Sequence, residues 1–149
     1  MSLKEWFRVG AKPKTPITGK KYELVPNQQI IVGGVTLYRI RALRDFGKVK
    51  AGDFGGFVES ESNLSHEGNC WVSGQAHVSG DAQIYGNARV FEDARVYEHA
   101  QIGGNVRVFG TARVWGYTKL GGRERVTGTL VCTPAGWKDE IWLIFHGLG

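Results

Sequence analysis

Five arginines recur at intervals of six or twelve residues: Arg89, Arg95, Arg107, Arg113 and Arg125. Phe91, Tyr97, Phe109 and Trp115 each follow one of the first four by two places, and Trp71 stands eighteen residues before Arg89. Guanidinium groups pair with carboxylates and phosphates through a planar fork, and aromatic rings anchor interfaces or stack on bases. Equipment for bond-making is sparse. GxxxxGK[ST], GxGxxG, HExxH and paired CxxC are all absent, so no nucleotide, cofactor or metal is expected. His77 falls on an outward strand place and His99 at a corner, and the repeat supplies neither with a fixed carboxylate partner, although Glu98 adjoins His99. Asn63-Leu64-Ser65 matches the glycosylation triplet and is discounted for want of a secretion signal.

The element that spaces these residues is a six-residue repeat. From Gly68 the chain reads GNCWVS, GQAHVS, GDAQIY, GNARVF and so on through eleven hexads to residue 133. The third place is small (Cys70, Ala76, Ala82, Ala88, Ala94, Ala100) and the fifth aliphatic (Val72, Val78, Ile84, Val90, Val96, Ile102). Two places apart, they share one side of an extended segment, while the fourth and sixth places share the other. A glycine followed by a polar residue marks a corner. Such a unit cannot bury its apolar side alone and must stack on its neighbours. Three hexads make a triangular coil of 18 residues, and coils stack at about 4.8 Å. Cys70 and Cys132 both fall at inward places on different sides, as buried structural thiols rather than a disulfide.

Folding at 18 residues per coil sorts the outward places into three faces. The first stacks Trp71, Arg89, Arg107 and Arg125 beside Phe91 and Phe109. The second stacks His77, Arg95 and Arg113 beside Tyr97 and Trp115. The third stacks Gln83, Gln101 and Lys119 beside Tyr85, Gly103 and Gly121. A helical period, a five-residue solenoid, the calcium-binding GGxGxDxUx repeat and a flat threonine ladder all fit less well.

The alternation of a small residue with an aliphatic one, every six residues, resembles the hexapeptide repeat of left-handed parallel β-helices. With the run from Tyr38-Arg39-Ile40 through Asp53-Phe54-Gly55-Gly56-Phe57-Val58 and Asn63-Leu64-Ser65, the chain is similar to bacterial and prophage β-solenoid proteins loosely labelled transferases. The resemblance implies an all-β, single-stranded, left-handed parallel β-helix with a small N-terminal β cap, in the cytoplasm of a bacterial host. Acyltransferases of this type use a histidine as general base at a subunit boundary. Their coils are commonly broken by a long acceptor loop, and here the hexads run on.

The flanks complete the expected layout: a basic arm over 1–20, the cap over 21–60, the solenoid over 61–133 and an apolar segment over 134–149. Tyr22–Val25 and Val35–Leu43 read as strands joined through Pro26-Asn27 and a Gly33-Gly34 turn, with Phe54, Phe57 and Val58 covering the first coil. Glu124 occupies an inward place, which predicts distortion over 122–128. Trp137, Ile141, Trp142, Ile144 and Phe145 read as a returning strand or a subunit contact, in a dimer or trimer.

Glycine is 22 of 149 residues, hydrophobic residues are 42% and charged residues 22%, which fits one globular domain. No apolar run reaches the roughly 20 residues that span a bilayer, so no membrane role is expected. Residues 1–50 hold eleven Lys/Arg against three acids (+8), and 51–149 hold eight against eleven (−3), together the net +5. That asymmetry suits an anionic partner. Asp81, Glu92, Asp93 and Glu98 interrupt a continuous nucleic-acid track, so a protein partner is expected first and nucleic acid second. The reading is a non-enzymatic binding or scaffold protein of phage type, an inhibitor of a host defence complex among its roles. A hexapeptide acyltransferase at a trimer interface and a nucleic-acid-binding protein are the alternatives, and a ladder that only stabilises the coil is the plainest.

Overall fold

The computed structural model describes residues 19–128 and 130–133. These fold into fourteen strands, numbered in chain order, and one short 3-10 turn at Glu61–Asn63. An antiparallel hairpin comes first: β1 (Tyr22–Val32) and β2 (Val35–Ala42). Gly33 and Gly34 link them with φ of +58° and +84°, the paired positive angles of a type I′ turn, whose twist matches that of the strands. Strand β1 continues through residues 28–32, beyond the Tyr22–Val25 expectation, by absorbing Pro26 and Asn27 in a register shift between Val25 and Gln29. Strand β3 (Phe54–Val58) pairs antiparallel with β2 and parallel with the first solenoid strand of its face. Gly55 makes that seat possible, because a Cβ there would stand 2.4 Å from the Val72 carbonyl oxygen. Phe57 and Val58 are buried, but Phe54 is 48% exposed and does not cover the coil as expected. It turns toward Arg41, whose guanidinium lies 5.9 Å from its ring.

The solenoid has about four turns and three parallel sheets. The first face holds β4 (Trp71–Val72), β7 (Arg89–Val90), β10 (Arg107–Phe109) and β13 (Arg125–Thr127). The second holds β5 (His77–Val78), β8 (Arg95–Val96), β11 (Arg113–Gly116) and β14 (Leu130–Thr133), and runs on into β3, β2 and β1. The third holds β6 (Gln83–Ile84), β9 (Gln101–Ile102) and β12 (Lys119–Leu120), with Leu64 bridging to Ile84. Register is set by eighteen: Arg89 opposes Arg107 and Val90 opposes Val108. Coils are joined by backbone bonds such as Arg89 N–H to Val106 C=O at 2.9 Å.

Third and fifth places fill the interior, as the alternation requires. Val72, Val90, Val108 and Val126 form one buried column, Val78, Val96 and Val114 a second, and Leu64, Ile84, Ile102 and Leu120 a third. Small residues at the third places (Ala76, Ala94 and Ala112 on one side) let these columns meet at the axis. At the corners, Glu92 and Glu98 stand where other hexads carry glycine, with φ of 61° and 62°. That left-handed backbone costs a side-chain-bearing residue about 1 kcal/mol or more. Each carboxylate answers by accepting from the backbone one coil on: Gly110 N–H at 2.8 Å and Gly116 N–H at 3.0 Å.

The repeat slips once. Strand β14 pairs Val131 with Val114 and Cys132 with Trp115, so the last coil is one residue short. Val131 therefore fills the core, and Cys132, expected inward, is half-buried on the outward side. Glu124 lies in the stretch where distortion was expected; it is only partly buried, and its Oε1 accepts from Gly122 N–H at 2.9 Å.

Candidate macromolecular interface

Each arginine sits at the outward fourth place of a two- to four-residue strand, between inward places three and five that lock its backbone into the core. The parallel register then stacks the side chains in columns. Arg89, Arg107 and Arg125 are successive partners on the first face, and Arg95 and Arg113 on the second. The sixth-place rings stack as well: Phe91 on Phe109 with centroids 5.0 Å apart and planes 5° from parallel, Tyr97 on Trp115 at 5.8 Å and 4°. Rings stack mainly on rings rather than under the guanidiniums; the exception is Arg125, 5.5 Å from the Phe109 centroid. Arg89, Arg95, Arg107 and Arg113 have no ion pair or hydrogen bond among the described residues.

The cap treats its cations differently. Lys20 and Arg41 pair with Glu61 and Glu23. Arg44 donates to the Gly19 and His66 carbonyls, and Arg39 to the Gly55 carbonyl. Lys21 is fully buried, its Nζ 2.8 Å from the Cys70 carbonyl and 3.4 Å from Cys70 Sγ. Burial lowers the Lys21 pKa and raises that of the Cys70 thiol. Five of the cap's cations are thus spent on the fold, whereas Arg89, Arg95, Arg107 and Arg113 of the solenoid go unanswered among the described residues.

Trp71 corrects the sequence reading. Its strand place is outward, but it is only 7% exposed, because Phe46 and Tyr22 pack edge-on against it from the cap at 5.2 and 6.3 Å. It is a core residue of the cap junction, not part of an open surface. Trp137, Ile141, Trp142, Ile144, Phe145 and His146 lie outside the described residues, as does the basic arm to residue 18.

Two features escaped the sequence reading. The far end of the hairpin overhangs the second face, and a hollow of about 200 Å³ lies between them. Val32, Val35 and Leu37 form one wall; His77, Arg95, Tyr97 and Arg113 are on the other. His77 Nδ1 is buried without a partner, alone among the buried side-chain nitrogens and oxygens of the described residues. Burial lowers the His77 pKa, Arg95 adds to the effect and Asp93 opposes it, so the ring is neutral near pH 7. The second feature is a corner column: Asp81 Oδ2 lies 3.5 Å from His99 Nδ1, and Tyr117 stacks on the same ring at 4.7 Å. The eighteen-residue interval joins Asp81, His99 and Tyr117; the hairpin hollow left no sequence signal, since it depends on where the cap docks.

The other histidine is structural. His66 Nδ1 accepts from Lys21 N–H at 3.0 Å, so its Nε2 carries the proton that faces Glu61 Oε1 at 3.0 Å. Bonds from Lys20 first, then His66, lower the Glu61 pKa against the opposing effect of burial. Asn63 is fully buried, accepting from Glu59 and Ser60 N–H and donating to the Gly80 and Ala82 carbonyls, which leaves its amide no room for a glycan. No group of three or more His, Cys, Asp or Glu residues is placed to hold a metal among the described residues. No helix there is long and apolar enough to cross a membrane.

Residues 82–98 and 100–116 match the family model of the YdcK β-solenoid repeat. The two matches start eighteen residues apart, one coil, and span β8 and β11 with the aromatic pair Tyr97 and Trp115. A curated relative, an uncharacterized acetyltransferase YdcK of Escherichia coli (strain K12), is 47% identical over 38 residues. That stretch is 26% of this chain and 12% of the relative, so the match takes in only a small part of the larger protein.

Proposed function

We propose that the chain is a non-enzymatic binding protein that engages an acidic protein partner through the Arg/aromatic columns of its first and second faces. The observation that carries this reading is the unanswered arginines: two stacked pairs, Arg89 with Arg107 and Arg95 with Arg113, each repelling across adjacent rungs and finding no acid among the described residues. A purely structural ladder would alternate charge, as cross-strand pairs do when stability alone decides. Arginine beside aromatic rings is the composition of interface hot spots. The test is capture of partners on the immobilised chain, compared with Arg107→Glu/Arg113→Glu. Loss of a salt-sensitive, specifically retained protein with the fold intact supports the reading; retention at undiminished strength removes it. Retention of nucleic acid instead, released steeply by salt, would replace the protein partner.

A second reading is acyl transfer. It is favoured by the name of the relative and by a neutral histidine, His77, lining a hollow. It requires acetyl-CoA to bind, and calorimetry that shows no heat at millimolar ligand rejects it.

A further inference from the structure

The hollow beneath the β1–β2 hairpin joins three properties that meet nowhere else among the described residues. It is concave, with Val32, Val35 and Leu37 as an apolar wall. It carries two guanidiniums, of Arg95 and Arg113, that no acid of the described residues answers. It includes His77, whose Nδ1 is buried and unpartnered. A polar atom buried without a partner weighs against the fold.

We propose that this hollow binds a carboxylate carried on a small apolar or aromatic body, met either as a free aromatic acid or as the C-terminal residue of a polypeptide. The guanidiniums answer the carboxylate, the Tyr97 ring and the valine wall take the apolar body, and the His77 ring lines the same hollow. The size is right: about 200 Å³ exceeds the cavity of about 150 Å³ that accommodates benzene. A bare inorganic anion would leave the valine wall wet, and a neutral apolar ligand would leave the guanidiniums unanswered. The site shares Arg95, Tyr97 and Arg113 with the second face but does not depend on that face's engaging a protein surface.

The experiment is calorimetric titration of the full chain with benzoate and with N-acetylphenylalanine, and with their uncharged amides, benzamide and N-acetylphenylalaninamide. At least one acid binds in the millimolar range, and its amide binds about tenfold more weakly or not at all, the loss expected for one charge-assisted contact. Arg95→Gln/Arg113→Gln weakens the acid by about tenfold or more, while Lys119→Gln, on the third face, changes it less than about twofold. The ¹H–¹⁵N signals of the His77 ring move with saturation. Benzoate alone binding identifies a free acid as the occupant, N-acetylphenylalanine alone a chain terminus, and either supports the site. No heat from either acid up to about 20 mM, amides equal to acids, or Lys119→Gln as damaging as the hollow variants overturns it. Thermal unfolding shows that the glutamine variants fold. Acid binding that survives alongside failed partner capture sinks the docking faces alone, and the reverse sinks this site alone.

Discussion

Arg107→Glu separates the work of holding the coil from the work of recognition. Arg107 sits between Arg89 and Arg125 on adjacent rungs of one sheet. Two like charges about 5 Å apart repel by about 0.8 kcal/mol in water, and physiological salt reduces that to roughly half. Two such neighbours cost about 1 kcal/mol, and reversing the central charge turns both repulsions into attractions. Side-chain freedom and the weaker strand preference of glutamate discount the swing, leaving a gain of about 1 kcal/mol. For a folding unit of roughly 110 residues that gain raises Tm by about 4 °C. Thermal unfolding followed by circular dichroism, at low salt and at 1 M NaCl, is the assay. The variant should be more stable than the parent at low salt, lose most of that advantage at high salt and fail in partner capture. Destabilisation at low salt, or a shift indifferent to salt, would refute the stacked-column geometry and the claim that the arginines are held for a partner.

The remaining expectations are local. Ile102→Ala, in the middle of the third-face column, should cost about 2–5 kcal/mol in urea unfolding, because close-packed rungs on either side limit collapse of the cavity. Glu92→Ala keeps the positive φ and loses the bond to Gly110, whereas Glu92→Gly loses only the bond, so glycine should be the milder change by about 1 kcal/mol. Asn63→Ala strips partners from two buried amides and two carbonyls and should lower stability by about 3 kcal/mol or prevent cap docking. The folded-state pKa of His77 lies below its unfolded value, with Arg95 and Arg113 lining the same hollow and Asp93 opposing Arg95. Stability is therefore unaffected by this ring above the ordinary imidazole pKa of about 6.5, and falls as pH drops from there toward the lower folded-state value. His77→Gln should flatten the stability curve between about pH 7 and 5 in urea titrations.

The eighteen-residue interval was legible because every place in a hexad has one inside or outside assignment, and stacking multiplies that assignment. Arg89 over Arg107, Phe91 over Phe109 and Tyr97 over Trp115 follow from counting. The same counting fails where long-range docking competes with the pattern. Trp71 has an outward place, but the cap lands on it; Cys132 has an inward place, but a one-residue shortening after Thr127 turns it out. Lys21 gave no sign of burial, since only the fold brings carbonyls of the first coil around its ammonium. His77 read as a plain outward histidine because the hairpin that roofs it is some forty residues earlier in the chain and carries no periodic signal.

The left-handed corners occupied by Glu92 and Glu98 have a consequence for how the molecule could change length. Each reaches one turn ahead and closes on the backbone position eighteen residues on, so this turn carries its own two fastenings to its successor. A tandem copy of residues 86–103 would therefore bring its own buttons and buttonholes. It would lengthen both basic stripes by one step of about 4.8 Å without disturbing either end. Reach along a partner becomes a quantity set by duplication, in whole steps, as on a ratchet.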